Sequence, residues 1–286
     1  MVLTTAQAFR SFEDNIKLTS AERDIANGRY RTVKEMLTDA FPSYLSVPLS
    51  RTFKIGSVSR NTATRPLGDI DLMAVFDSKD GAFERYRTDS TRFLSYVRDR
   101  LNQRSRVERI GARGQAVRLF YSDGLWVDVA AVFDMPGDYR LPAGNGGWIR
   151  TNPIRQEFWV KEKDGELDGH LKPMVRALKR WNQEHSNRLG SWHLEVMAGR
   201  CYGYIGPDHR WASEHFFRFA SIDVNDPDGF AGNLGSNLTT SQRQAVASSM
   251  RSARDRAAKA IEAEKEGRHF DAKWEWRQIF GDDFPL

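Results

Sequence analysis

The sequence of 286 residues holds a single cysteine, Cys201. One thiol excludes both a disulfide framework and a cysteine-based zinc site. The six histidines include no His-x-x-x-His pair, so nothing suggests zinc on a helix. No apolar run approaches the length of a membrane span and the first residues do not resemble a signal peptide, so a cytoplasmic protein with no membrane partner is expected. A Walker loop is missing too, because no Gly-Lys-Ser/Thr falls at the spacing that motif requires. There is no arginine-rich arm or lysine tract; 43 Lys+Arg stand against 38 Asp+Glu, a formal net charge of +5 spread along the chain. That excess suits a polyanionic ligand, although a well-solubilised surface is its plainest meaning. With 40% hydrophobic and 28% charged residues the composition is globular, and the length suits about two domains.

What is present centres on Lys54 to Val75. Gly56-Ser57 forms a turn, a basic and polar loop follows, and Asp69-Ile70-Asp71 enters an apolar run. Ile70, Leu72, Ala74 and Phe76 alternate with Asp69, Asp71, Met73 and Val75, which predicts a strand. Its period of two sends Asp69 and Asp71 out on one face, where neighbouring carboxylates repel unless a cation or a proton lies between them. Hard oxygen ligands suit magnesium. An isolated Asp-x-Asp reads more plainly as two solvated carboxylates, but the Gly-Ser turn shifts the balance. Glycine allows backbone close to phosphate, and N–H groups with a serine hydroxyl can cradle phosphate oxygens.

Along the chain, residues 1–41 read as helical, with Thr19 or Ser20 as a cap, Glu22 in the first turn and Pro42 at the end. Val47 to Ile55 predicts a strand that Pro48 confines to an edge, and Ala82 to Leu101 predicts an amphipathic helix. Ala116 to Tyr121 and Leu125 to Phe133 flank an Asp-Gly turn as a hairpin. In the returning strand Asp128 shares a face with Trp126 and Ala130. A carboxylate there needs a partner, either Arg118 in a salt bridge or a metal shared with Asp69 and Asp71. Asp123 and Asp134, in a turn and at a strand exit, are decoys. The Pro/Gly-rich stretch Pro136–Gly147 suggests a boundary that divides the chain into 1–150 and 151–286. The second part reads as helical, with helices around Leu167–Trp181, from Ser191, over Trp211–Ile222 and over Thr239–Ala263. Gly281-Asp282-Asp283, expected at a frayed terminus, receives no functional weight.

These residues together resemble a known group. Gly56-Ser57, Asp69-x-Asp71 and a third aspartate on a later strand are similar to the DNA polymerase β-like nucleotidyltransferase superfamily. Leu171-Lys-Pro-Met-Val-Arg-Ala-Leu-Lys-Arg-Trp-Asn182, Ser191-Trp-His-Leu-Glu195, Asp226-Pro227 and Trp276-Arg-Gln-Ile-Phe-Gly281…Phe284-Pro285 resemble the bacterial CD-NTases, relatives of cyclic GMP-AMP synthase and oligoadenylate synthetase. The resemblance spans nearly the whole chain. It implies an α+β, bilobal nucleotidyltransferase fold, with a mixed-sheet catalytic lobe in 1–150 and a helical lobe in 151–286 that closes the nucleotide cleft. By the same resemblance Asp69, Asp71 and Asp128 would hold two Mg²⁺ ions, for which Mn²⁺ can substitute. Gly56 and Ser57 would bind the donor triphosphate, Lys179 would reach its phosphates, Ser191 would help fix them and Trp192 would stack on a base. Without the family those last readings are plainer: Lys179 on an exposed helix face, Trp192 a core aromatic.

The resemblance further implies ATP and at least one other NTP as substrates, and a cyclic oligonucleotide product that switches on an effector protein in antiphage signalling. It leaves room for a regulatory protein partner. Nucleic-acid activation of the animal enzyme's kind is not expected, since one cysteine cannot build that enzyme's zinc insert. Asn152 is a further candidate. Pro153 biases it toward an extended conformation, from which its amide could read a base edge, although an Asn-Pro turn that starts a helix explains it equally well. Two other activities fit the same residues: transfer of one nucleotide to RNA, protein or a small molecule, and sensing by a catalytically degenerate nucleotide-binding site.

Overall fold

The computed structural model describes residues 3–103, 107–186 and 188–286. Its chain divides into two compact units, one made of Thr19–Arg60 and Leu67–Glu157, the other of residues up to Leu18, Asn61–Pro66 and Phe158–Leu286.

The first unit is built on a mixed sheet. Its strands are β1 (Leu49–Ile55), β2 (Asp69–Phe76), β3 (Arg109–Arg113), β4 (Ala116–Phe120), β5 (Trp126–Met135), β6 (Asp138–Pro142) and β7 (Trp148–Thr151). The order is β1-β2-β5-β4-β3, with β6 on the far part of β5 and β7 on β6. Among the described residues β2 and β5 pair in parallel and the other strand pairs are antiparallel. As the alternation predicts, the two faces differ. Ile70, Leu72, Ala74 and Phe76 with Val127, Val129, Ala131 and Phe133 are fully buried. Helices α2 (Ser20–Ala40) and α4 (Ser90–Asn102) pack on the sheet, and Phe93 of α4 meets Phe76 and Phe133 at ring distances of 5.2 and 4.4 Å. The opposite face carries the small cluster Met73, Val75, Val132 and Tyr139, and beyond it the aspartates.

The capping chemistry read from the sequence sets the start of α2: Thr19 Oγ1 accepts from Glu22 N at 3.1 Å and the Glu22 carboxylate accepts from Thr19 N at 2.8 Å. β1 is an edge strand, as Pro48 predicts. Two expectations change. The helix predicted over Ala82–Leu101 begins only at Ser90, because Asp80 and Gly81 turn the backbone at positive φ and Asp89 caps α4 by accepting from Thr91 N. Phe83 and Tyr86 lie in the preceding turns and pack on Phe133 instead. Pro136–Gly147 holds two hairpin turns around β6, so its proline and glycines mark strand reversal; Gly137, Gly144 and Gly146 all have positive φ. The chain passes to the second unit within α5 (Pro153–Glu166), after Glu157.

The second unit is helical: α1 (Thr5–Ile16), most of α5, α6 (Leu171–Glu184), α7 (Ser191–Cys201), α8 (His209–Phe219), α9 (Thr240–Lys265) and α10 (His269–Phe280). α1 belongs here because its apolar face is aromatic and finds aromatic partners. Phe9 meets Trp276 edge-on at 5.2 Å and Phe12 stacks on Phe280 at 4.7 Å. The C-terminus is not frayed: Phe284 is fully buried beside these rings, and Asp282 and Asp283 pair with Arg277 and Arg180. The architecture is α+β, and among the described residues no helix is long and apolar enough to cross a membrane.

Candidate active site

The parallel pairing of β2 with β5 sets Asp71 directly beside Asp128, and Asp69 lies two residues along the same face. Carboxylate oxygens of all three come within 4.8 Å of one another. Both alternatives for Asp128 hold at once. Arg118, its register partner on β4, forks onto it through Nε–Oδ1 at 2.7 Å and Nη2–Oδ2 at 2.6 Å, while Asp128 remains within the triad. The Arg118 guanidinium lies over the Trp126 ring at 4.8 Å. Its pKa is pushed up chiefly by the hydrogen bonds to Asp128, with the attraction of Asp69 and Asp71 adding to the rise. Arg118 therefore faces the three clustered carboxylates, and a donor set of hard oxygens at this spacing can hold a metal ion. Asp123 pairs with Arg29 at 2.7 Å and Asp134 with Arg51 at 2.9 Å, and neither belongs to the cluster of three.

Gly56 lies against the triad. Ile55 ends β1 opposite Asp71, and Gly56 opens the single-turn helix α3 (Gly56–Ser59) at φ 75°. A Cβ on Gly56 would stand 1.9 Å from Asp71 Oδ2 and 2.9 Å from Asp71 Cβ. Only glycine gives both the left-handed backbone and this approach to the carboxylate. Ser57 follows, half-buried, and no side chain caps α3. The signal for this contact was the glycine before the serine, but nothing in the sequence pointed to Asp71 as its neighbour.

The remaining candidates stand at the starts of α5 and α7 and on α6. Asn152 caps α5: its Oδ1 accepts from Arg155 N at 3.2 Å and its Nδ2 donates to Gly137 O at 3.3 Å. In the helical unit, Ser191 is the exposed first residue of α7, which has no side-chain cap. Trp192 is half-buried, with Nε1 donating to Asp226 Oδ1 at 3.1 Å and its ring edge-on to Trp159 at 5.8 Å. Asp226 also accepts from the backbone of Asp228 and Ala231, so its role in the Asp-Pro motif is to fix a turn and orient that indole. Lys179 is not on an exposed face: it is 5% exposed and pairs with Glu195 of α7 at 2.8 Å. Glu195 and its partner Thr62 were not singled out from the sequence, although Glu195 ends the Ser-Trp-His-Leu-Glu motif.

Comparison with known proteins agrees with this geometry. Residues 3–164, more than half of the chain, match the model of the Second Messenger Oligonucleotide or Dinucleotide Synthetase domain. A probable cyclic nucleotide synthase of Bacillus cereus (strain VD146) is 25% identical over 100% of this chain and 99% of its own length. A cyclic AMP-AMP-AMP synthase of Acinetobacter is 23% identical over 99% of this chain and 86% of its own. Among solved structures, E. coli MS115-1 CdnC with ATP superposes with a TM-score of 0.80 at 19% identity, covering 99% of each chain. The same protein in complex with HORMA-deltaN gives 0.80 as well, over 97% and 96%.

Proposed function

The chain belongs to the Second Messenger Oligonucleotide or Dinucleotide Synthetase family, and from that premise we propose that this nucleotidyltransferase joins ATP and at least one further NTP into a cyclic oligonucleotide. The observation that carries the reading is the approach of Asp69, Asp71 and Asp128 to one another beside the Gly56 turn. The three carboxylates would hold two Mg²⁺ ions, for which Mn²⁺ could substitute. Divalent ions held there would lower the pKa of an attacking ribose hydroxyl and neutralise charge on the α-phosphate and the departing pyrophosphate.

The chain's own residues do the rest. Arg118 fixes the orientation of Asp128 and offsets carboxylate repulsion when no metal is bound. Gly56 and Ser57 offer uncapped N–H groups and a hydroxyl to the donor triphosphate. A triad carboxylate takes the proton of the attacking hydroxyl as its oxygen bonds to the α-phosphorus and the anhydride bond to pyrophosphate breaks. Ser191, at the uncapped start of α7, binds phosphate with the favourable end of the helix dipole, and Trp192 stacks on a base. A second displacement within the tethered product closes the ring. The names of the relatives support the cyclic product, and the HORMA-deltaN complex of CdnC supports a regulatory protein partner. An effector switched on by the product, in antiphage signalling, completes the proposal. The complete carboxylate triad argues against a degenerate sensor.

Incubating the purified protein with each NTP combination and Mg²⁺ or Mn²⁺, followed by mass spectrometry, tests this. A phosphatase-resistant cyclic product formed without added acceptor is expected. Label appearing only on an added RNA, protein or small molecule would replace the proposal with single-nucleotide transfer.

A further inference from the structure

Residues 61–66 join the glycine turn to the aspartate strand, yet they group with the helical unit. One side of α6 holds them. Arg176, Lys179, Arg180 and Gln183 fall at i, i+3, i+4 and i+7 and so share that side. Arg176 Nη1 donates to Asn61 O at 2.8 Å, and Arg180 Nη2 to Arg65 O at 2.6 Å. Lys179 Nζ donates to Thr62 O and Thr62 Oγ1, both at 3.1 Å, while Gln183 Nε2 reaches Thr64 Oγ1 at 3.5 Å. From the other side Arg65 N donates to Ile16 O at 2.9 Å, and Lys17 bridges Thr64. Glu195 completes the arrangement: its Oε1 accepts from Lys179 at 2.8 Å and from the Thr62 hydroxyl at 2.7 Å. Thr62 and Glu195 are fully buried.

A buried ammonium and carboxylate persist only when paired and hydrogen-bonded, and here the loop supplies part of that bonding. Three cationic side chains converge on backbone carbonyls of a six-residue segment, which an ordinary surface connection does not require. We propose that Lys179 and Glu195, with Arg176 and Arg180, are positioning residues that hold 61–66 as a strap. Arg60 alone separates this strap from α3, and Leu67-Gly68 separate it from β2, so holding 61–66 restrains the backbone that follows Gly56-Ser57 and precedes Asp69-x-Asp71. The assignment rests on reading those residues as the donor and metal site. It gives Lys179 a task other than the phosphate contact that the resemblance implies.

The test is hydrogen exchange on the full chain without nucleotide, comparing wild type, Lys179→Met, Glu195→Gln and the double variant. Losing a charge-assisted bond should raise exchange of the strap amides at least about ten-fold in each single variant, with no further rise in the double variant. Thr62→Val serves if a single variant fails to fold, since it removes the bridging hydroxyl and leaves the ion pair. Strap exchange within about two-fold of wild type in these variants would overturn the proposal. Calorimetry with inorganic tripolyphosphate separates it from direct contact. A strap predicts equal weakening by Lys179→Met and Glu195→Gln, whereas weakening by Lys179→Met alone overturns it. Failure of the wild type to bind tripolyphosphate would count against the donor-site reading, and the exchange data would still decide the strap.

Discussion

Replacing Gly56 with alanine perturbs the candidate site at one atom. The added methyl would lie 1.9 Å from Asp71 Oδ2, so the carboxylate or the turn must shift by about 1 Å to reach even a strained 3.0 Å contact. Alanine at φ 75° also costs about 1–2 kcal/mol of backbone strain. At roughly 2–4 °C per kcal/mol for a chain of this general size, the melting temperature should fall by about 2–8 °C. The larger effect is on chemistry, since a displacement of about 1 Å in a reacting constellation costs on the order of 10²-fold in rate. Product formation from NTPs and Mg²⁺ should therefore drop by about 10²-fold or more in a protein that remains folded at 25 °C. Gly28→Ala is the control. That site lies inside α2 with open space around it, so alanine should stabilise by about 0.5–1 kcal/mol and leave product formation unchanged. Gly56→Ala activity within about three-fold of wild type would refute the claim that the turn must lie against Asp71.

Four further outcomes are expected. Asp71→Asn, Asp128→Asn and the double variant should each abolish turnover, the double losing little more, because groups acting as a unit are non-additive; substantial turnover in Asp128→Asn would remove it from the triad. Trp192→Ala should weaken nucleotide binding by about 1–3 kcal/mol in a calorimetric titration, and unchanged affinity would assign the ring to the core; Asn152→Ser keeps a capping side chain on α5, so an altered mix of bases in the product would reveal base reading by Asn152, and an identical mix would leave it a cap. Burial pushes the His193 imidazole below its usual pKa, against the pull of its bond to Ile222 O. The unfolded chain then takes the proton first as the pH falls through about 6.5. His193's share of stability is thus present above that pH and lost below it. Urea midpoints should fall less between pH 7.5 and 5.5 in His193→Gln than in wild type, and an equal fall would contradict this.

Much of the site was legible because strand parity is a two-residue rule. Once Asp69 and Asp71 were placed on one face of β2, and Asp128 with Trp126 and Ala130 on one face of β5, only the register between the strands was missing. That register sets Asp71 beside Asp128, and it is a long-range fact that no local pattern carries. Caps were legible for the same local reason: Thr19 and Thr239 both form capping boxes where the sequence places helix starts. The misplaced start of α4 shows the limit. Phe83 and Tyr86 recur at helical spacing with Phe93 and Val97, yet Asp80, Gly81 and the Asp89 cap decide the backbone. Lys179 shows another limit. Its burial depends on Glu195 and on Thr62, 117 residues earlier in sequence, and helix periodicity alone could not tell a strap from an exposed basic face. β6 was hidden because the prolines and glycines that bound its two hairpin turns outweigh its five residues.

The central claim is that β2 and β5 bring three carboxylates together to hold catalytic metal ions. Crystals soaked with Mn²⁺ and a non-hydrolysable NTP analogue test it directly by anomalous scattering. Two peaks bounded by the oxygens of Asp69, Asp71 and Asp128, both lost in Asp71→Asn, are the predicted result. Bound analogue with no anomalous peak at the triad, or peaks that persist in Asp71→Asn, would contradict it.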